Sequence, residues 1–105
     1  MRVNFGSDGT AEVSEIGVFD AFSVDAGGRS LEQIDSLLRG ASAGRVTEGR
    51  AEVAIRFVLS QAGPRAVTSE WRDGFDEMVA FARSKQWISP DQSSIIAHIE
   101  NAASA

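Results

Sequence analysis

The feature that most constrains the fold is an amphipathic pattern in the third quarter of the chain. Apolar residues recur there at spacings of three and four positions: Trp71, Phe75, Met78, Val79 and Ala82. This spacing places all of them on one face of an α-helix, which must then be buried against the rest of the domain. Ser69 precedes the pattern as an N-cap residue. We therefore predict a helix over about residues 70–85.

A second helix is marked at both ends. Ser30 can cap the free amides of its first turn, and Gln33 stands where a capping box requires it. Four apolar residues form its stripe: Leu31, Ile34, Leu37 and Leu38. Gly40 can adopt the left-handed conformation that commonly ends a helix. The pattern predicts a helix over residues 31–39.

A third helix is predicted near the end of the chain. Residues 89–92 read Ser-Pro-Asp-Gln, which combines an N-cap, a proline at the first helical position and a capping-box glutamine. The following helix, over about residues 90–102, would bury one face made of Ile95, Ile99 and Ala102. It would form a helical hairpin with the preceding helix, joined near Trp87.

The first quarter of the chain is typical of β structure. Apolar and polar residues alternate over residues 2–6 and 10–15, and the glycines and aspartate between them suit a tight turn. These segments predict a hairpin. Residues 16–24 are the next candidate strand.

Residues 51–62 fit two structures. As a strand, Val53, Ile55 and Phe57 would face inward; as a helix, the same region also carries a good apolar stripe. Periodicity does not decide between them. The β-branched content favours a strand at about 51–57 followed by a short turn of helix.

The chain has 105 residues, the size of one domain, and we expect residues 1–105 to form a single domain with a frayed tail at 101–105. The expected class is α+β. A small antiparallel sheet, made of the N-terminal hairpin plus one or two further strands, would be packed by about three helices, the last two forming the helical hairpin.

Composition narrows the classes of function. The chain has no cysteine and a net charge of −5, with ten Lys and Arg residues against fifteen carboxylates. Nucleic acids and anionic membranes are bound by clustered basic residues, so neither is an expected partner. The first five residues lack the apolar core of a secretion signal, and no apolar run approaches the length of a membrane span. We expect a cytoplasmic protein without a cofactor.

The chain has few side chains of the types that commonly act in catalysis, which favours a non-enzymatic protein. His98 is the only histidine and the one candidate for acid–base chemistry. A metal site would need carboxylates from other segments, and no spacing predicts one. The serines occupy caps and turns, and no nucleophile-elbow motif is present. His98 is more simply a structural or surface residue.

A weak candidate anion site precedes the first predicted helix. Gly27, Gly28, Arg29 and Ser30 join a strand to a helix N-terminus, where free amides can cradle a phosphate. No dinucleotide-binding or P-loop pattern accompanies them, so a plain tight turn is the simpler interpretation.

The aromatic residues supply the leading functional hypothesis. Phe81 lies about 60° off the main helical stripe, and Trp71 and Trp87 stand at the two ends of the helix. Together with Phe19, these aromatic residues carry more apolar surface than one small core can bury. Apolar aromatic surface left exposed is typical of an interaction site. We expect an acidic protein that self-associates as a homodimer or docks on a protein partner through this patch.

Two other functions remain open at this point. A small-molecule binding module or enzyme would have its pocket near Trp71, Trp87 and His98. An immunity or antitoxin protein would use its acidic surface to steer docking onto a basic toxin.

Overall fold

A computed structural model of the chain describes residues 1–103 and confirms the α+β class. Within these residues, three α-helices and six strands are formed. The helices are α1 Leu31–Gly40, α2 Ile55–Ala62 and α3 Ser69–Ser84. The strands are β1 Arg2–Phe5, β2 Ala11–Ser14, β3 Ser23–Asp25, β4 Gly44–Thr47, β5 Arg50–Ala54 and β6 Ser94–Glu100. A short 3₁₀ segment, Gly63–Val67, links α2 to α3.

The sheet is larger than predicted and is mixed rather than antiparallel. Its strand order is β2-β1-β3-β6-β5-β4. The hairpin β1–β2 is antiparallel, as predicted, and so are the pairs β4–β5 and β5–β6. Strand β3 lies between β1 and β6 and is parallel to both. No tight hairpin turn joins β3 to either neighbour, as parallel pairing requires.

The predicted helix over 90–102, and with it the helical hairpin, is wrong. This region contains β6, a central strand that pairs with β3 on one side and β5 on the other. The Asp91 carboxylate accepts hydrogen bonds from Ser89 Oγ at 2.6 Å and from Ser93 N at 3.0 Å, and Gln92 has a φ of 65°. These side-chain bonds favour a turn over a helix start. The isoleucines that follow are β-branched and suit a strand.

The predicted helices α1 and α3 are confirmed, with corrections at their ends. The capping box of Ser30 and Gln33 forms as predicted. Gly40 remains inside α1; the left-handed residue is Ser42, whose φ is 54°, and Ala43 N donates to Leu38 O at 2.8 Å. That bond is typical of a Schellman ending. Helix α3 begins at Ser69 itself, with Thr68 as its N-cap residue.

Both alternatives for residues 51–62 hold in part. The strand ends at Ala54, and α2 begins directly at Ile55. The predicted strand over 16–24 is shorter than expected, because only residues 23–25 pair with neighbouring strands. Glu15 has a φ of 53°, which turns the chain before this segment. Residues 15–22 therefore form a loop instead of a strand.

The core lies between the inward face of the sheet and the three helices. Inward-facing Val3, Val24 and Val53 are buried together with Ile34 and Leu38 of α1, Val58 of α2 and Phe75 of α3. The opposite face of the sheet carries mainly polar side chains, such as Asn4, Ser23 and His98. Burial of the apolar face is the main driving force for this arrangement.

Helix side chains hydrogen bond to both edge strands of the sheet. Asp35 of α1 accepts from Val46 N of β4 at 2.8 Å. Gln61 of α2 accepts from Val13 N of β2 at 3.2 Å. Unpaired edge amides are the usual template for adding a strand from another chain. Each edge therefore has one such amide already occupied.

The predicted frayed tail lies partly outside the described residues, at 104–105. Within the described part, Asn101 Nδ2 donates to Asp25 Oδ1 at 3.1 Å, and Ala103 N donates to Arg29 O at 2.9 Å. Residues 101–103 thus follow β6 along the turn that precedes α1.

Candidate partner-binding groove

A groove of about 450 Å³ opens between the loop before β3, the middle and C-terminal part of α3 and the N-terminal end of β6. Its lining is predominantly apolar. The loop contributes Phe19, Asp20, Ala21 and Phe22; α3 contributes Gly74, Glu77, Met78, Phe81 and Ala82; the remaining lining residues are Trp87, Ile95 and Ile96. Apolar concavities with few polar groups are the usual form of a binding site.

Phe81 and Trp87 are the most exposed aromatic residues of the groove. Phe81 is 57% exposed and Trp87 is 42% exposed. Their rings meet edge to face, with centroids 5.9 Å apart and planes at 70°. The Lys85 ammonium lies 5.6 Å from the centroid of the Phe81 ring. These two rings leave a large apolar surface in water, and covering it with a partner would be favourable.

The backbone around Trp87 is held from two sides. Trp87 N donates to Ala82 O at the end of α3, at 2.8 Å. Trp87 O accepts from Ile96 N of β6, at 2.7 Å. The exposed indole therefore projects from a segment fixed between a helix and a central strand. A preformed apolar surface of this kind binds with little ordering cost.

Phe19 closes the other side of the groove by packing on α3 at a glycine. A Cβ atom placed on Gly74 would lie 2.5 Å from Cε2 of Phe19. Only a residue without a side chain lets the ring come so close to the helix. The Met1 amino group donates to Val18 O at 2.9 Å and Ala21 O at 2.7 Å, which fixes the loop that carries Phe19.

Trp71 supports this wall from behind but does not line the groove, contrary to its predicted place in the binding patch. It is 7% exposed, and its ring stacks on Phe75 with centroids 5.0 Å apart and planes 11° apart. Its Nε1 donates to Ile16 O at 2.7 Å, and Phe19 meets its ring at 5.8 Å. Trp71 thus belongs to the core, with its polar atom satisfied.

His98 lies next to the groove rather than in it. It projects from the polar face of the sheet and is exposed. A smaller cavity of about 240 Å³ is lined by His98, Arg50 and Ala97 together with Phe22, Trp87 and Ile96, the three residues that it shares with the groove. Trp87 therefore forms a wall common to both cavities. Across residues 1–103, no cluster of three or more histidines and carboxylates could hold a metal ion.

The loop considered as an anion site already uses its amides. Gly27 N donates to Asp25 Oδ1 at 2.9 Å, and Gly28 N donates to Asn101 O at 2.7 Å. Arg29 N donates to Ala26 O at 3.0 Å, and Ser30 N to the capping-box oxygen at 2.9 Å. The Arg29 guanidinium donates to Gly6 O at 2.7 Å. An anion would have to displace these bonds, since the amides of residues 27–30 all have internal acceptors.

The turn before β6 is stabilised by one carboxylate. Ser89 Oγ donates to Asp91 Oδ1 at 2.6 Å, and Ser93 donates through both its Oγ and its amide. These hydrogen bonds, the one from Ser89 first, lower the pKa of Asp91 from 3.8 to about 2. Ser89 Oγ in turn accepts from Ser94 N at 3.1 Å. Asp91 thereby fixes the loop between Trp87 and β6.

Sequence reasoning identified the exposed rings but missed several lining residues. The sequence places Phe22 in a predicted strand, Met78 on the core-facing stripe of a helix and Ile96 in the predicted helix over 90–102, and it gives Gly74 no role. A glycine within an otherwise regular amphipathic helix was the available signal, because such a glycine often marks a close approach. No motif in the sequence marks Asp20 or Glu77 as part of a site. Their place at the groove depends on contacts between distant segments.

Two further findings bear on identity. Within residues 1–103, no helix combines the length and apolar character needed to cross a membrane. Comparison of the chain with protein-family models, with curated proteins and with solved structures gave no match.

Proposed function

We propose that this protein is a non-catalytic interaction module that docks on a protein partner through the groove. One observation carries the proposal: Phe81 and Trp87 are exposed over a preformed apolar concavity, whereas Trp71 and Phe75 of α3 are buried. Aromatic residues at the centre of an apolar patch are the residues that most often dominate binding energy. A cytoplasmic location is part of the proposal.

A different protein suits the groove better than a second copy of this chain. The chain carries a net charge of −5, so two copies repel each other at long range. Strand addition at the β2 or β4 edge would also have to displace the hydrogen bonds made by Gln61 or Asp35. Docking of side chains into the groove requires neither change.

The direct test is a selection of random displayed peptides on the purified protein, repeated with a groove variant. Phe81→Ser removes the most exposed ring of the groove. We expect peptides rich in apolar residues to be enriched on the wild-type protein and to lose at least tenfold in affinity for Phe81→Ser. Val67→Ser is the matched control, because Val67 is 89% exposed but lies outside the groove.

Two outcomes would contradict this proposal. One is enrichment of peptides that bind wild-type and Phe81→Ser proteins equally. The other is a concentration-dependent dimer, seen by light scattering, that disappears in Phe81→Ser and persists in Val67→Ser. The second result would assign the groove to another copy of this chain.

A small-molecule function is the second candidate, and the size of the groove favours it. Its volume of about 450 Å³ lies within the range of small-ligand sites, about 300–1,000 Å³. A metabolite screen read through the Trp87 indole N–H signal in NMR tests it. A ligand that binds in the micromolar range and is lost in Phe81→Ser would favour this function over peptide docking.

A further inference from the structure

We infer that the partner segment presents a lysine or arginine beside its apolar side chains; this inference rests on the proposed function. Two carboxylates line the groove, Asp20 on the loop and Glu77 on α3, and no basic residue is among the lining residues. A cation next to an apolar group would therefore meet complementary charge at this rim. A segment carrying a carboxylate would meet repulsion.

No side-chain ion pair found in residues 1–103 involves either rim carboxylate. The side-chain ion pairs found in residues 1–103 involve Arg39, Arg45 and Arg72 with other carboxylates. Both Asp20 and Glu77 are exposed. A partner's cation would thus displace no side-chain base, and at Asp20 it would share the carboxylate's attraction with the nearby Met1 ammonium.

The contact of Phe19 with Gly74 brings the two carboxylates to one site. Asp20 follows Phe19 directly, and Glu77 lies one turn after Gly74 on α3. The close packing of the ring on the helix therefore sets both carboxylates around the same concavity. Among residues 1–103, the base that lies over a lining aromatic ring is Lys85, 5.6 Å from the centroid of Phe81. Lys85 and the Met1 ammonium lie near this rim without lining the groove, and the net charge of −5 adds long-range attraction for a cation.

A series of three probes of equal size separates charge from apolar binding: phenylbutylamine, phenylbutanol and phenylbutyrate. Each is titrated into the ¹⁵N-labelled protein, and the dissociation constant is read from the Trp87 indole N–H and the amides lining the groove. The phenyl ring stands in for an apolar side chain and the ammonium for a lysine. We expect the amine to bind about threefold to fivefold more tightly than the alcohol, as expected of exposed charge pairs, and the carboxylate to bind most weakly.

Matched variants locate the effect at the rim. In the double variant Asp20→Asn with Glu77→Gln, the ratio of the amine's affinity to the alcohol's affinity should fall to less than twofold. Glu12→Gln with Glu32→Gln removes the same net charge at exposed positions outside the groove and should keep the preference. Raised salt should reduce the preference in the wild-type protein.

The results distinguish a failure of the inferred cation from a failure of the proposed docking function. If the alcohol binds and the amine shows no advantage, or if the control pair removes the advantage equally, the inferred cation is wrong and the groove remains a binding site. If none of the three probes shifts the Trp87 and groove signals, the proposed function fails together with the inference.

Discussion

The two ends of α3 carry aromatic pairs with opposite fates. At its N-terminal end, Trp71 and Phe75 stack at 5.0 Å inside the core, and the indole N–H is bonded to a backbone carbonyl. At its C-terminal end, Phe81 meets Trp87 at 5.9 Å on the surface, where both rings remain exposed. The same residue types therefore stabilise the fold at one end of the helix and leave apolar surface in water at the other.

Helical geometry accounts for the difference. Successive residues turn by about 100°, so Phe75 and Met78 fall on the stripe that faces the core, while Phe81 falls about 60° to one side of Met78. That offset points the Phe81 ring past the edge of the core and toward the Trp87 segment. One helix thus builds the core and one wall of the groove. The angular position of a side chain decides its role more than its chemistry does.

The largest effect should come from the buried pair. Phe75 is only 1% exposed, so Phe75→Ala removes packing and leaves a cavity, and the free energy of unfolding should fall by about 3–5 kcal/mol. Urea unfolding followed by circular dichroism measures this loss. A loss below about 1 kcal/mol would contradict the assignment of this ring to the core.

Gly74→Ala should be the next most costly change, although alanine favours helices by about 1 kcal/mol over glycine. The added methyl group would lie 2.5 Å from the Phe19 ring, and such overpacking costs about 1–3 kcal/mol. We expect a net loss of stability and a displaced groove wall, visible as shifts at Trp87 and its neighbours. In a Phe19→Ala background the clash is absent, and Gly74→Ala should become neutral or stabilising. If the change is equally harmful in both backgrounds, the contact with Phe19 does not explain it.

The parts of the fold that sequence could predict are those set by local patterns. Helix α3 follows from its stripe, α1 from its capping box, and the first hairpin from alternation around a glycine-rich turn. Strand β6 was missed because residues 89–92 contain every local sign of a helix start. Its backbone pairs with β3 and β5, which lie far away in the sequence. Local propensity carries no information about such partners.

The candidate site also contains residues that local sequence patterns predict and residues that only distant contacts bring into place. Phe81 could be singled out because its angle on a single helix was calculable from the sequence. Gly74 and Asp20 gained their place only when the loop packed against α3, a contact between residues more than fifty positions apart. Trp71 was misplaced because its hydrogen bond to Ile16 O and its cover by Phe19 both come from that loop.

The exposed pair should matter little for stability, which sharpens the contrast with Phe75. Phe81→Ala and Trp87→Ala should each lower the free energy of unfolding by less than about 1.5 kcal/mol, with an edge-to-face coupling of about 0.5–1.5 kcal/mol in a double-mutant cycle. Urea unfolding of the wild type, both single variants and the double variant gives the coupling. Losses comparable to that of Phe75→Ala would show that these rings serve the fold, and the docking proposal would lose its main support.

The smallest expected effect is the pH dependence that originates at Asp91, at the Trp87 end of the molecule. The Ser89 and Ser93 hydrogen bonds lower the pKa of Asp91 to about 2 in the folded protein, from 3.8 ordinarily. A depressed folded pKa means that the ionised carboxylate stabilises the fold above the ordinary pKa, and that this stabilisation is lost as pH falls through about 2. Asp91→Asn should therefore be less stable than wild type near neutral pH, and the difference should shrink as pH drops from about 4 toward 2.

In NMR titrations the Trp87 indole signal should follow this transition, because Asp91 fixes the turn between Trp87 and β6. The Trp71 indole signal should not follow it. If the Trp71 and Trp87 indole signals of the wild type move equally with pH, Asp91 does not act on the Trp87 end alone. If the stability difference between wild type and Asp91→Asn stays constant with pH, ionisation of Asp91 does not stabilise the turn.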